Sequence, residues 1–364
     1  MKITILTPAD SLTGGSRVIA THARLLQQRG HEVLIVSNAP DTPPLRELLS
    51  RFGRPDRLPR ADDQRVGHLA LSGVPHRVLE RKRAVTADDL PDADVVIATW
   101  WETAEWMHRL PASKGQRVHL IQGYEVWAGS PQARVHAALG LPNLKIVISQ
   151  SLADELHDKV DPALPLCVVP NAVDLDIFHA APRARGRPAT VGFIVANEPF
   201  KGTDLCIEAC RLAMAAVPDL RVIAFGTVNR DPLRPLPAGA EFSLRPRQAD
   251  LAAIYGRCDA WLYGSRIDSF GLPILEAMAC RTPVIAVPTG AAPVLLANGG
   301  GRLLSGYEPQ DMADALVALL TGTEVDWVRH SIAAWRQAQS YTWDDAATLM
   351  EALLGSLVDE RQAA

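Results

Sequence analysis

Asp268 and Glu276, two carboxylates with seven residues between them, bracket the run Ser269-Phe270-Gly271-Leu272-Pro273. Within that run Gly271 can take a backbone angle that other residues avoid. Pro273 stands in what reads as the first turn of a helix, where its missing N–H costs nothing. The amides around Phe270, Gly271 and Leu272 are then aimed out of a helix start, together with the positive end of the helix dipole. The chemistry predicted at that point is the binding of an anion.

The elements that must position these groups follow from local patterns. Residues 260–263 form a short apolar strand, 273–280 a helix, and 284–287 the next strand, closed by Pro288. Together they make one βαβ unit. The chain opens in the same order, with strands at 3–6 and 32–36 around an amphipathic helix at 16–28. The joining loop is glycine-rich and ends on Ser16, which can cap the helix. Gly14 and Gly15 in that loop lack both the G-x-G-x-x-G spacing and a Walker lysine, so neither standard phosphate fingerprint is met. Residues 40–91 are rich in Pro, Arg and Asp, with short strands predicted near 68–71 and 76–78 and a solvated face at Arg81-Lys82-Arg83. Strands follow at 95–98, 117–122, 145–149 and 166–169, with a helix at 151–157. A linker by composition spans 180–190. A second α/β series then begins, with strands at 191–195, 220–225 and 242–245 and helices through 216, at 248–256 and at 309–320. The last helix carries Ala346, Leu349, Met350, Leu353 and Leu357 on one apolar face. Trp100, Trp101 and Trp106 follow one strand of the first series and Trp127 follows the next, on the side where α/β proteins place ligands. Flat rings with a polar edge suit sugars, and they also simply pack.

Asp268, F-G-L-P and Glu276 resemble the signature of the retaining glycosyltransferases of family 4, with Asp here where that family usually has Glu. The resemblance implies an α/β protein of GT-B fold, two Rossmann-like doubly wound domains facing a central cleft. Residues 1–172 would form an acceptor-binding domain, 173–188 a crossover and linker, and 189–340 a donor-binding domain. Residues 341–364 would be a helix returning to the first. Catalysis would rest on Asp268, Lys201 and Glu276: Lys201 on the donor phosphates, Glu276 on the ribose, and Asp268 on hydroxyls of the donor sugar. Gly14, Gly15, Gly202, Arg245, Arg247, Ser269, Phe270, Gly271 and Leu272 would complete the donor site. Where the family usually has an arginine five residues before Lys201 this chain has Ala196, so phosphate binding falls to Lys201, the helix amides, and Arg245, Arg247 or Arg266. Gln122 stands where many members have a histidine. With Tyr124, Glu125, Trp101 and Trp127 it forms the expected acceptor site. The reaction implied is transfer of a sugar from a nucleotide-sugar to a saccharide, lipid-linked or small-molecule hydroxyl, with retention and without a metal or other cofactor. A non-catalytic nucleotide-sugar binder and a sugar-nucleotide epimerase are the alternatives.

Composition narrows the classes. At 364 residues the chain can hold two full cores. A formal charge of −4 gives no basic excess for nucleic acid. The five cysteines never form a C-x-x-C pair and read as buried thiols. Asp174-Leu175-Asp176 spells D-x-D, but it sits in a crossover turn and reads as a helix cap, not a metal site. The sequence predicts no secretion signal and no spanning helix. It points to the cytosol, with at most peripheral contact at the inner membrane surface, and leaves the oligomeric state undefined.

Overall fold

A computed structural model of the protein describes residues 1–40, 66–126, 129–228, 231 and 233–363. The chain divides into two compact units. The first comprises Met1–Ile148, Ala153–Val169 and Ala347–Ala364, the second Ser149–Leu152 and Pro170–Ala346.

The first series runs β1 (Lys2–Thr7), α1 (Gly14–Gln28), β2 (Glu32–Ser37), β3 (His76–Val78), β4 (Val95–Ala98), α2 (Trp101–His108), β5 (Gln116–Ile121), α3 (Gln132–Leu139), β6 (Leu144–Val147), α4 (Gln150–Leu156) and β7 (Leu166–Val168). Its strands lie in the order β3-β2-β1-β4-β5-β6-β7, parallel throughout, with Ile5 in register with Ile35 on one side and Ile97 on the other. Every residue of β4 is buried, as expected of a parallel strand covered on both faces. The order reverses between β1 and β4, which makes the carboxyl ends of those two strands the switch point where such sheets bind ligands.

The second series runs β8 (Thr190–Val195), α5 (Thr203–Ala213), β9 (Arg221–Gly226), β10 (Glu241–Leu244), α6 (Gln248–Arg257), β11 (Ala260–Tyr263), α7 (Leu272–Ala279), β12 (Val284–Ala286), α8 (Ala292–Leu296), β13 (Gly301–Leu303), α9 (Pro309–Thr321), α10 (Glu324–Gln339) and α11 (Trp343–Ala363). The strand order is β10-β9-β8-β11-β12-β13, so the reversal falls between β8 and β11. Trp261 on β11 is fully buried, 4.4 Å from Tyr255 between ring centroids. It fits because Gly192 lies opposite, where a Cβ would come within 2.4 Å of the indole.

Several expectations need correction. Residues 68–71 form a turn, not a strand. The Asp10 carboxylate accepts from the amides of Leu69 at 3.0 Å and Ala70 at 3.1 Å, the groups a ladder would use. The expected loops at 41–65 lie outside the described residues. Helix α1 starts at Gly14 and is capped by Thr13, whose hydroxyl accepts from the Ser16 amide at 3.4 Å, so Ser16 is not its cap. The linker by composition is no loose tether. Asp259 accepts from Arg183 at 2.6 Å and from the amides of Gly186 and Thr190 at 2.8 Å each. On α11 the predicted Ala346 and Met350 are buried together with Ala347 and Leu354, whereas Leu349 is 47% exposed, so the buried face is shifted partly away from the predicted one. Within the first unit Glu351 of this helix accepts from Arg29 at 2.9 Å and pairs with His31 at 2.8 Å. Arg83 is bidentate on Asp89, at 2.7 Å twice, so the basic run at 81–83 is not a uniformly solvated face. No helix among the described residues is long and apolar enough to cross a membrane.

Burial lowers the pKa of His119 on β5 to about 3, with the Lys145 charge adding. In the unfolded chain the imidazole protonates first, so the stability tied to this residue is present above about pH 6.5 and is lost as pH falls below it. The variant His119→Leu should therefore gain on the wild type as pH drops from 6.5 to 5, by up to about 1.4 kcal/mol per pH unit. Urea denaturation checks this, and a constant difference between the two proteins across that range contradicts it.

Candidate functional site

At the β8/β11 reversal two loops are pressed together by glycines. Gly202 has φ +68°, and a Cβ there would lie 1.9 Å from the Gly264 carbonyl oxygen. At Gly264 a Cβ would lie 2.8 Å from the Gly202 carbonyl oxygen and 2.9 Å from Cys206 Sγ. Lys201 closes the single turn Pro199–Lys201 just before this contact. Its Nζ reaches Asp268 Oδ2 at 3.0 Å, across to the loop after β11. Two of the predicted residues thus meet directly.

The other carboxyl oxygen, Asp268 Oδ1, accepts from the amides of Phe270 at 3.3 Å and Gly271 at 3.2 Å. This corrects the expectation that those amides await an external anion. An Asp placed just before a helix start folds its short arm back onto the amides that follow, and the anion at this helix end is a side chain. The Leu272 amide has no partner among the described residues. Burial alone would raise the Asp268 carboxyl, but the Lys201 charge leads a set of influences that outweighs it, and the pKa falls below the usual carboxylate range. Gly271 (φ +91°) and Gly290 (φ +57°) take positive-φ conformations around the loop that carries this carboxylate. A Cβ on Gly290 would sit 2.8 Å from the Asp268 carbonyl oxygen.

Glu276 lies on α7, buried, and its Oε2 accepts from the Tyr255 hydroxyl at 2.8 Å. Phe270 is buried with its ring edge-on to Tyr341, so it offers backbone to a ligand at most, and neighbouring Ser269 is half-buried with its carbonyl accepting from Ser149 Oγ at 2.7 Å. The arginines are otherwise engaged. Arg247 is bidentate on Asp250 at 2.8 Å, Arg266 on Asp204 at 3.0 Å, and Arg245 donates to the Thr227 carbonyl at 2.9 Å from a positive-φ backbone. Asp174 accepts from the amides of Asp176 and Ile177 at 3.1 and 3.3 Å, the expected cap.

The β1/β4 reversal of the first unit holds a cavity of about 560 Å³. Gly15 lies under the Gln122 side chain, 3.5 Å from its Oε1 to where a Cβ would be, and Gln122 and Glu125 both line the cavity. Gly14 is exposed at the start of α1. Glu125 is only 5% exposed and its Oε2 accepts from the Trp101 amide at 3.1 Å. Burial pushes its carboxyl up to about 8, against the pull of that amide and with Glu102 adding a like charge. Trp101 itself does not present a face to a ligand: it is 7% exposed within α2 and Arg134 covers its ring at 4.4 Å. Tyr124 is absent from the cavity wall, stacked on His136 with its hydroxyl 2.6 Å from Nε2. Trp127 lies outside the described residues. The cavity also draws on Ser11, Asn38, Lys82, Thr99 and Trp100. Apart from Trp100 in the predicted cluster and Lys82 in the basic run, sequence reasoning missed these residues. Their position just past the ends of β1, β2 and β4 was the available signal.

A family model described as glycosyl transferases group 1 matches residues 188–322, and one described as glycosyltransferase family 4 matches residues 12–177. The chain belongs to this glycosyltransferase family. D-inositol 3-phosphate glycosyltransferases of Mycobacterium tuberculosis and Mycobacterium bovis are 33% identical to it over 218 residues. That alignment covers 54% of this chain, and the chain spans 44% of the length of those relatives. The HepE protein of Anabaena, crystallised with UDP-glucose, has a TM-score of 0.74 at 18% identity, covering 98% of this chain and 100% of that one. A sucrose-phosphate synthase from Thermosynechococcus elongatus has a TM-score of 0.71 at 19% identity, covering 99% and 100%. These likenesses establish the GT-B type of fold for the two parallel α/β units.

The contact that delivers Lys201 is tested by two alanine substitutions. Gly30→Ala meets only the cost of a positive φ, because nothing lies within 4 Å of its Cβ position. Gly202→Ala also drives a methyl into a backbone carbonyl. It should cost about 1–3 kcal/mol more than Gly30→Ala in urea denaturation, and equal losses would contradict the close approach.

Proposed function

We propose that this protein transfers a sugar from a nucleotide-sugar donor to a hydroxyl acceptor. The observation that carries the reading is the Lys201 ammonium held at the β8/β11 switch point, inside the segment matched by the group 1 model. Breaking a sugar–phosphate bond leaves negative charge on the departing diphosphate, and a cation already in place stabilises it without reorganisation. Lys201 would exchange Asp268 for the diphosphate, with the Leu272 amide as a second donor. Side-chain pairs this exposed are worth little in stability, so the exchange is cheap. Asp268, then relieved of its lysine, accepts from hydroxyls of the donor sugar. Glu276, oriented by Tyr255, accepts from the ribose.

The donor class is supported by HepE, solved with UDP and with UDP-glucose, and by TarM of S. aureus, solved with UDP and α-GlcNAc-glycerol. Charge neutralisation by Lys201 would let the step run without a divalent ion. The leaving phosphate would take the acceptor's proton as the new bond forms on the same face, which retains configuration. The acceptor would be recruited by the first unit through Gln122 and Glu125.

Thermal shift against UDP, GDP, ADP, dTDP and their sugars identifies the donor, since a bound ligand stabilises the fold by mass action. With that donor, Lys201→Ala should lose a charge-assisted bond of about 1.5–3 kcal/mol, a drop in kcat/KM of roughly ten- to two-hundred-fold. Activity should survive a chelator. Wild-type kinetics in the variant would contradict the assignment. In Glu276→Gln one acceptor oxygen replaces two, and calorimetry should show weaker nucleotide binding.

A further inference from the structure

Glu125 is a carboxyl group in an unusual position. It lines the cavity of the first unit while 5% exposed, and one oxygen accepts from the Trp101 amide. Its Oε1 has no partner among the described residues. The charged groups around it can be named. Glu102, from α2, lines the same cavity and repels a second negative charge. Arg134 lies over the Trp101 ring and is bidentate on Glu105. From the β1 loop come the hydroxyls of Ser11 and Thr13. Asp10 in that loop has its carboxylate taken by three backbone amides. Lys82 is the one cation among the described lining residues, and it is exposed and has an interaction of its own. An ionised, buried carboxylate beside a like charge and without a cation is costly. A proton on Oε1 removes that cost and turns the group into a donor.

We propose that Glu125 acts as a proton-bearing hydrogen-bond donor in this cavity, selecting a neutral polyhydroxylated molecule by donating from Oε1 to one of its hydroxyls. The inference rests on the transferase reading and names the chemistry of the acceptor. Burial pushes this carboxyl up to about 8, so the donor is present at neutral pH and is lost as pH rises past that value. Above it two adjacent negative charges face the cavity. The Glu102 carboxylate disfavours a phosphorylated or carboxylated ligand.

Calorimetry on the full chain with glucose, mannose and myo-inositol, and with glucose 6-phosphate and glucuronate as anionic counterparts, tests the assignment. A neutral member should bind at about pH 6.5 and lose roughly tenfold in affinity by about pH 9. Glu125→Gln keeps an acceptor for the Trp101 amide and a donor for the cavity, so its affinity should be the same at both pH values. The inference is overturned if no neutral member binds, if an anionic member binds more tightly, or if wild-type affinity ignores pH. Should Glu125→Gln fail to fold, the wild-type pH series decides alone. Nucleoside diphosphate binding, followed in parallel, separates the two readings: its loss strikes the transferase assignment, while intact nucleotide binding with pH-indifferent polyol binding strikes only this one.

Discussion

An ammonium and a carboxylate 3.0 Å apart, Lys201 and Asp268, depend on backbone that only glycine permits. Gly202 and Gly264 let the loops after β8 and β11 approach until one carbonyl nearly fills the space of a missing Cβ. That approach brings a lysine from one βα loop to an aspartate on the next. With Lys201 40% exposed the pair adds little to stability. Its consequence is placement: a cation is fixed at the amino end of α7, with Asp268 bound to the first amides of that turn and kept ionised by the lysine and its other neighbours.

The same topology is used twice with opposite chemistry. Each sheet is parallel and reverses its strand order once, between β1 and β4 and between β8 and β11. In the first unit the loops leaving the two central strands line a cavity at their carboxyl ends, while in the second the loops after β8 and β11 close on each other at Gly202 and Gly264; such switch points are where α/β sheets bind ligands. In the second unit the switch point is furnished with charge: Lys201, Asp268 and, further along α7, Glu276. In the first it is furnished with hydroxyls, the Gln122 amide, Glu102, an exposed Lys82 and, in Glu125, a carboxyl group whose burial favours the protonated form. A charged diphosphate and an uncharged polyol are the ligands proposed for these two environments. The division follows from which residues stand just past the strand ends.

Much of this was legible from the sequence, for reasons that differ by element. The β11–α7–β12 unit was readable because its strands are uninterrupted apolar runs and Pro273 marks the helix start. Strand β11 falls on the predicted residues. Lys201 and Asp268 were identified separately, but their contact was not, because it depends on two glycines 62 positions apart in a chain whose loops meet only in three dimensions. Capture of the helix amides by Asp268 turns on side-chain reach, which spacing does not reveal. Helices α2, α3 and α10 went unread because polar Thr103, Ser331 and Gln337 lie on the buried faces of the first and last and α3 buries only Val135, Ala138 and Leu139. Trp101 illustrates the cost: the pattern that suggests a sugar platform is, in the fold, one buried face of α2 covered by Arg134.

The central claim is that Lys201 is the partner of the nucleotide's terminal phosphate. The direct measurement compares the diphosphate and the monophosphate of the nucleoside that binds, by calorimetry, in the wild type and in Lys201→Ala. The account predicts that the wild type prefers the diphosphate and that the variant loses most of that preference, by roughly tenfold or more. A preference that survives intact without the lysine would contradict it.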